Sequence, residues 1–119
     1  LLAGYVEPGE SLEAAVIREV FEESGVVVVN PVYLGSQPWP FPQSLMLGFK
    51  ATVATGFDPD NHVADGEEIL TLRWFTRDEL KASLNDIVLP GKVSIARALI
   101  EEWLGESLDQ DDAWNGRIA

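Results

Sequence analysis

A chain of 119 residues holds one domain of ordinary size, or a piece of a larger protein. Hydrophobic residues make up 46% and charged residues 24%, the balance of a folded globular chain, which argues against disordered, collagen-like and coiled-coil classes. Twenty Asp and Glu against eight Lys and Arg leave a net charge of −12, so a long phosphate backbone is repelled and duplex DNA is a poor partner.

Cysteine is absent, which removes disulfides, thiolate nucleophiles and cysteine-ligated zinc from these residues. No apolar run reaches the roughly 20 residues of a membrane span, and no basic-then-apolar leader is present, so we expect no membrane partner and a cytoplasmic location. The opening Leu1-Leu2-Ala3-Gly4 lacks Met and is already strand-like; it reads as a cut edge with chain expected upstream.

In chain order, Leu1 to Ala3 read as a strand end and Glu7-Pro8-Gly9-Glu10 as a loop. Ser11 caps a helix with Glu13 in its first turn, Leu12, Val16 and Val20 beside Ala15 form its buried stripe, and Gly25 stops it. The β-branched run Val26 to Val29 predicts a strand ended by Asn30-Pro31, resuming over Val32 to Leu34. Leu45 to Val53 predict another strand. Phe57 to Asn61 read as a loop, with His62, the only histidine, as an exposed loop residue. Ile69 to Phe75 predict a strand in which Ile69, Leu72 and Trp74 compete for the core face. Thr76-Arg77-Asp78-Glu79 fits a capping box before a short helix, and Val93 to Leu104 predict an amphipathic helix ending at Gly105. We expect a weakly ordered acidic tail over 106–119 apart from Trp114, beyond a domain over 1–105. Mixed strands and helices predict an α/β layered fold with a mixed sheet.

Glu19, Glu22 and Glu23 lie at i, i+3 and i+4, so their carboxylates share one helical face. Alone, that spacing fits a solvated acidic face. Its surroundings change the reading: Gly4, Glu10, Arg18, Glu19, Glu22, Glu23 and Gly25 stand as Gly-x5-Glu-x7-Arg-Glu-Val-x-Glu-Glu-x-Gly-Val. A chance match at a given start is on the order of 10⁻⁸ if each fixed residue occurs at about 7%. The pattern resembles the full signature of the Nudix hydrolases. Its chemistry agrees, because diphosphate hydrolysis needs cations to shield phosphoryl oxygens and to generate hydroxide, and clustered carboxylates supply hard oxygen ligands for Mg²⁺ or Mn²⁺. Arg18 can orient one carboxylate through a bidentate pair, and Gly4 and Gly9 let the preceding loop approach the helix.

The resemblance implies an α/β/α Nudix sandwich lacking its N-terminal strands in this chain. It makes Glu19 and Glu23 metal ligands together with the carbonyl of Ala3, and Glu22 a ligand or water-positioning group. Glu23 is the first candidate for the base and Glu68 the second.

Downstream, Ser36-Gln37-Pro38-Trp39-Pro40-Phe41-Pro42-Gln43-Ser44 has three alternating prolines, which exclude a central strand and stiffen an arm that presents Trp39 and Phe41 for stacking on a planar ring. Its spacing is not Pro-x-x-Pro, so a ligand for SH3-like domains fits poorly; core plugging by the aromatics is the plainer alternative. After a Nudix signature this array resembles that of the NADH diphosphatase (NAD-capped RNA hydrolase) subfamily. The resemblance implies that Gln37, Pro38, Trp39, Pro40, Phe41, Pro42, Gln43 and Ser44 line the substrate pocket, that Glu68, with Glu67 its rival, is an acidic metal ligand, and that Ala96 is a further substrate contact. It also implies hydrolysis of NAD(H) to nicotinamide mononucleotide and AMP, a NAD-capped RNA end as an alternative substrate, and a homodimer. The family's zinc ribbon has no counterpart in these residues. A non-catalytic nucleotide-binding module is the competing class, but such modules commonly lose a signature glutamate and none is lost here.

Overall fold

The computed structural model describes residues 1–41, 43–58 and 72–108. Among these residues three helices and two strands run in the order α1 (Leu12–Ser24), β1 (Val28–Trp39), β2 (Ser44–Val53), α2 (Arg77–Ala82) and α3 (Ile95–Leu104). The strands pair as an antiparallel hairpin. The α/β character expected from the sequence holds, and this hairpin is what the described residues contain of the mixed sheet.

Helix α1 begins and ends where its local chemistry dictates. Ser11 Oγ accepts from Ala14 N–H, and Gly25 takes the left-handed conformation at φ 72°, its N–H donating to Phe21 O. The buried stripe differs from the expected one. Leu12 is exposed and Val16 and Val20 are half-buried, while Ala15, Glu23 and Ser24 are buried. Leu12 is the helix's first residue, and burial concentrates instead at the helix's end and just beyond it, where Val26 and Val28 are also buried.

Strand β1 corrects the expected break at Asn30-Pro31. It runs through both residues, with Asn30 at φ 53°, a left-handed conformation that Asn tolerates better than most residues. It also takes in Pro38 and Trp39. Among the described residues the sheet has two strands, so both are edges there, which is where missing proline donors are tolerated. Tyr33 and Phe49 meet across the hairpin edge-to-face, with ring centroids 5.6 Å apart.

The expected strand over Ile69 to Phe75 lies partly outside the described residues, and Leu72 to Phe75 are not strand. A strand needs a paired neighbour, and among the described residues the ladder joins β1 and β2 alone. Trp74 is exposed, and Phe75, not Trp74, packs on the core. The capping box holds through Glu79 N–H to Thr76 Oγ1, 3.1 Å. Helix α3 starts two residues later than expected, with Ser94 as its N-cap.

The chain forms two compact units. The first comprises residues 1–33 and 49–73, the second residues 34–48 and 74–119, and the hairpin contributes to both. In the second, Leu80, Leu89, Leu104 and Leu108 form the core, with Phe75, Leu84, Ile87 and Ile100 against it. Arg97 is 1% exposed and donates from Nε to Pro90 O at 2.9 Å, tying the Leu89-Pro90-Gly91 turn to α3. Ile95 and Leu99 lie so close to Gly48 that a β-carbon there would sit 2.9 Å from Leu99 Cδ2. The tail's first residues differ from the expected weak order: Glu106 pairs with Lys81 at 3.0 Å, and Leu108 N–H donates to Glu101 Oε2 at 2.8 Å. Trp114 lies outside the described residues.

Candidate active site

In the first unit Arg18 gathers the signature carboxylates. Its Nε donates to Glu10 Oε2 at 2.6 Å and one terminal nitrogen to Glu10 Oε1 at 2.8 Å, the two-pronged geometry that suits a planar guanidinium. That same terminal nitrogen reaches Tyr5 O at 2.9 Å, and the other reaches Glu19 Oε1 at 2.7 Å and Glu22 Oε2 at 3.1 Å. One cation therefore ties the loop before α1 to two carboxylates on the helix. Glu10 also accepts from Glu7 N–H at 3.0 Å. The hydrogen bonds from Arg18, and then the Glu7 amide, hold the Glu10 carboxyl at about 2, well below its ordinary 4.5. Glu10 and Glu19 in turn push the Arg18 guanidinium further up, so it stays charged.

Gly4 touches this network from the other side. A β-carbon there would overlap Glu19 Cδ and Oε2, so the backbone after Ala3 passes directly against the Glu19 carboxylate. Ala3 itself is exposed. Of the three helix glutamates, Glu22 is exposed, Glu19 half-buried and Glu23 4% exposed. Glu68 lies outside the described residues.

The donor set suits a hard divalent cation. Arg18 engages one oxygen each of Glu19 and Glu22, which leaves the second oxygen outside those pairs, and Gly4 supplies a close cradle beside Glu19. Among the described residues no three His, Cys, Asp or Glu side chains converge as a formed metal cluster. Arg18 holds two of the carboxylates, Glu19 and Glu22, in the arrangement described.

The second unit carries the array. Pro38, Trp39, Pro40, Gln43 and Ser44 line an open cavity of about 620 Å³. Phe41 is 91% exposed and outside that lining, and Pro42 lies outside the described residues. A second cavity of about 540 Å³ is bounded by Gln37 and Pro38 on the strand and by Val93, Ser94, Ile95 and Leu99 at α3. Ala96 lines neither cavity. Glu19, Glu22, Glu23 and Ala3 thus belong to one unit, and the array and Ala96 to the other.

Sequence reasoning missed the treatment of the α3 start. Ser94 N–H donates to Gly91 O at 3.0 Å, Ile95 N–H to Gln37 Oε1 at 2.9 Å, and Arg97 N–H to Ser94 Oγ at 3.2 Å. The serine three residues before Arg97 is a cap signal that marks Ser94, but nothing local points to Gln37.

The model of the NUDIX domain matches residues 1–99, and the chain belongs to the Nudix family. Among individual relatives, the NAD-capped RNA hydrolase NudC of Mycobacterium bovis (strain BCG / Pasteur 1173P2) is 50% identical over 115 residues, 87% of this chain and 35% of its own length. The protein of that name from Stutzerimonas stutzeri (strain A1501) is 51% identical over 111 residues, covering 93% and 37%. That from Klebsiella pneumoniae is 50% identical over 102 residues, covering 86% and 36%. The chain spans about a third of the length of the curated relatives it matches. Among the described residues no helix is long and apolar enough to cross a membrane.

Proposed function

We propose that residues 1–105 are the catalytic domain of a metal-dependent NAD(H) diphosphatase. The observation that carries this reading is the Arg18 network, which organises Glu10, Glu19 and Glu22 on the signature helix beside Gly4. Water attacks one phosphorus, the P–O bond of the diphosphate bridge breaks, and the products are nicotinamide mononucleotide and AMP. We assign Glu19, Glu23, the Ala3 carbonyl and Glu68 to hold Mg²⁺ or Mn²⁺. When bound, such an ion lowers the pKa of water and offsets charge on the phosphoryl oxygens. Glu23 takes the proton of the attacking water, with Glu22 beside it. Arg18 holds Glu19 and Glu22 in orientation through one hydrogen bond to each. Trp39 and Phe41 stack on a planar ring of the dinucleotide, held by a proline-stiffened backbone.

The relatives' name, NAD-capped RNA hydrolase, favours a second reading of the same chemistry, removal of the NAD cap from an RNA 5′ end. A net charge of −12 disfavours extended RNA contacts, and a capped end needs only the pocket. A homodimer and a cytoplasmic location complete the proposal. Incubation of the full chain with NADH and Mn²⁺, with the products separated, tests it: AMP is expected, and its absence with every divalent ion tried overturns the reading.

A further inference from the structure

The two cavities of the second unit adjoin. Pro38 lines both the array cavity and the cavity of about 540 Å³, so a ligand seated on the array has open space beside it. That volume lies within the usual span of ligand pockets, roughly 300–1,000 Å³. The walls are mostly apolar, with Leu34 and Pro38 from β1 and Val93, Ile95 and Leu99 from the α3 segment.

Much of the polar lining is committed to the protein. Both ends of the Gln37 amide are taken, by Val93 O and by Ile95 N–H, each at 2.9 Å. The Ser94 hydroxyl donates to Gly91 O at 2.7 Å and accepts from Arg97 N–H at 3.2 Å. Lys92 stands differently. It is exposed on the cavity lining, and the residues on either side of it are held, Gly91 through its carbonyl and Val93 through Gln37. A pinned backbone presents the ammonium and its three donors with less entropy left to lose.

The other cations among the described residues of this unit are engaged elsewhere: Arg77 donates to Trp103 O, Lys81 pairs with Glu106, and Arg97 is buried. Lys92 is the one of these four that borders either cavity. Glu102 lines the same cavity two helical turns beyond Ile95, roughly 10 Å along α3, so an anion is drawn to the Lys92 end and repelled from the other.

We propose that this cavity receives the first nucleotide that follows a NAD cap, with Lys92 contacting its phosphate. The proposal rests on the NAD-cap reading above. Free NAD(H) has no such nucleotide, and its diphosphate bridge is assigned to the metal site, so Lys92 separates capped RNA from the free dinucleotide. One cation serves one phosphate, in keeping with a net charge of −12 that repels a longer polyanion track.

The test uses the full chain with Lys92→Gln, which removes the charge, and Lys92→Arg, which keeps it. NAD⁺ and a short NAD-capped oligoadenylate are hydrolysed with Mn²⁺ at several salt concentrations. For Lys92→Gln, KM for the capped RNA is expected to rise about fivefold, the effect of one exposed ion pair, while KM for NAD⁺ stays within about 1.5-fold. The logarithmic salt slope for the capped RNA flattens by about 0.7, the value for one phosphate of a single strand. Lys92→Arg matches the parent on both substrates. An equal rise in KM for NAD⁺ places the dinucleotide itself in this cavity and overturns the proposal, and an unchanged KM for the capped RNA overturns it as well. A parent chain that hydrolyses neither substrate refutes the catalytic reading by itself. Fluorescence anisotropy of the labelled capped RNA, parent against Lys92→Gln, then decides the contact, and equal affinities overturn it.

Discussion

Arg18 grips Glu10 with two hydrogen bonds of 2.6 and 2.8 Å across eight residues, and the same side chain reaches Glu19 at 2.7 Å. Loop and helix are thereby held as one piece. Lysine carries the charge but not the fork, so Arg18→Lys keeps at most part of this arrangement. By analogy with groups that orient metal-ligating carboxylates, we expect kcat/KM for NADH to fall roughly 10–100-fold, read by steady-state kinetics.

The Glu10 carboxyl gives the fold a specific acid response. In the unfolded chain it protonates near 4.5, and in the folded chain Arg18 holds it at about 2. Between those values the unfolded state binds more protons, so the pair's contribution is complete above 4.5 and is lost as pH falls through about 2. Glu10→Gln removes that response. The gap in unfolding free energy between parent and variant is expected to narrow over this window in pH-dependent denaturant titrations; a constant gap would contradict the assignment.

Gly4→Ala places a methyl group onto the Glu19 carboxylate, which Arg18 already holds on one side. The carboxylate has to move. A loss of about tenfold or more in kcat/KM is expected, with Mn²⁺ affinity from titration calorimetry falling in parallel.

Glu23→Gln removes the proposed base while keeping volume and one hydrogen-bonding oxygen. Turnover is expected to drop by about 10²–10⁴-fold with the circular dichroism spectrum unchanged. Undiminished activity would move the base elsewhere.

Gly48→Ala tests the seat of α3 on the hairpin. The added carbon meets the methyl ends of Leu99 and Ile95 at 2.9 and 3.1 Å. Flexible ends can give way, so the cost is expected near the low end of overpacking, about 1 kcal/mol in a denaturant titration.

The parts of this protein legible in its residues are those governed by neighbours a few positions apart. Ser11, Thr76, Gly25 and Gly105 mark helix ends because capping bonds span three or four residues, and the spacing of Glu19, Glu22 and Glu23 follows from the helical period. The Nudix signature is legible for the same reason. What the spacing leaves open depends on packing between distant segments. Glu23 is buried while Leu12 is exposed, a distribution that the helical period does not predict. Leu72 to Phe75 are not strand, since pairing needs a neighbour that propensity does not supply. Gln37, which reads as a substrate group, reaches backbone 56 and 58 residues away. A side-chain amide bonds whatever the fold brings to it, so that partner is a property of the tertiary structure, whereas a cap or a helical face is already written in the local order of residues.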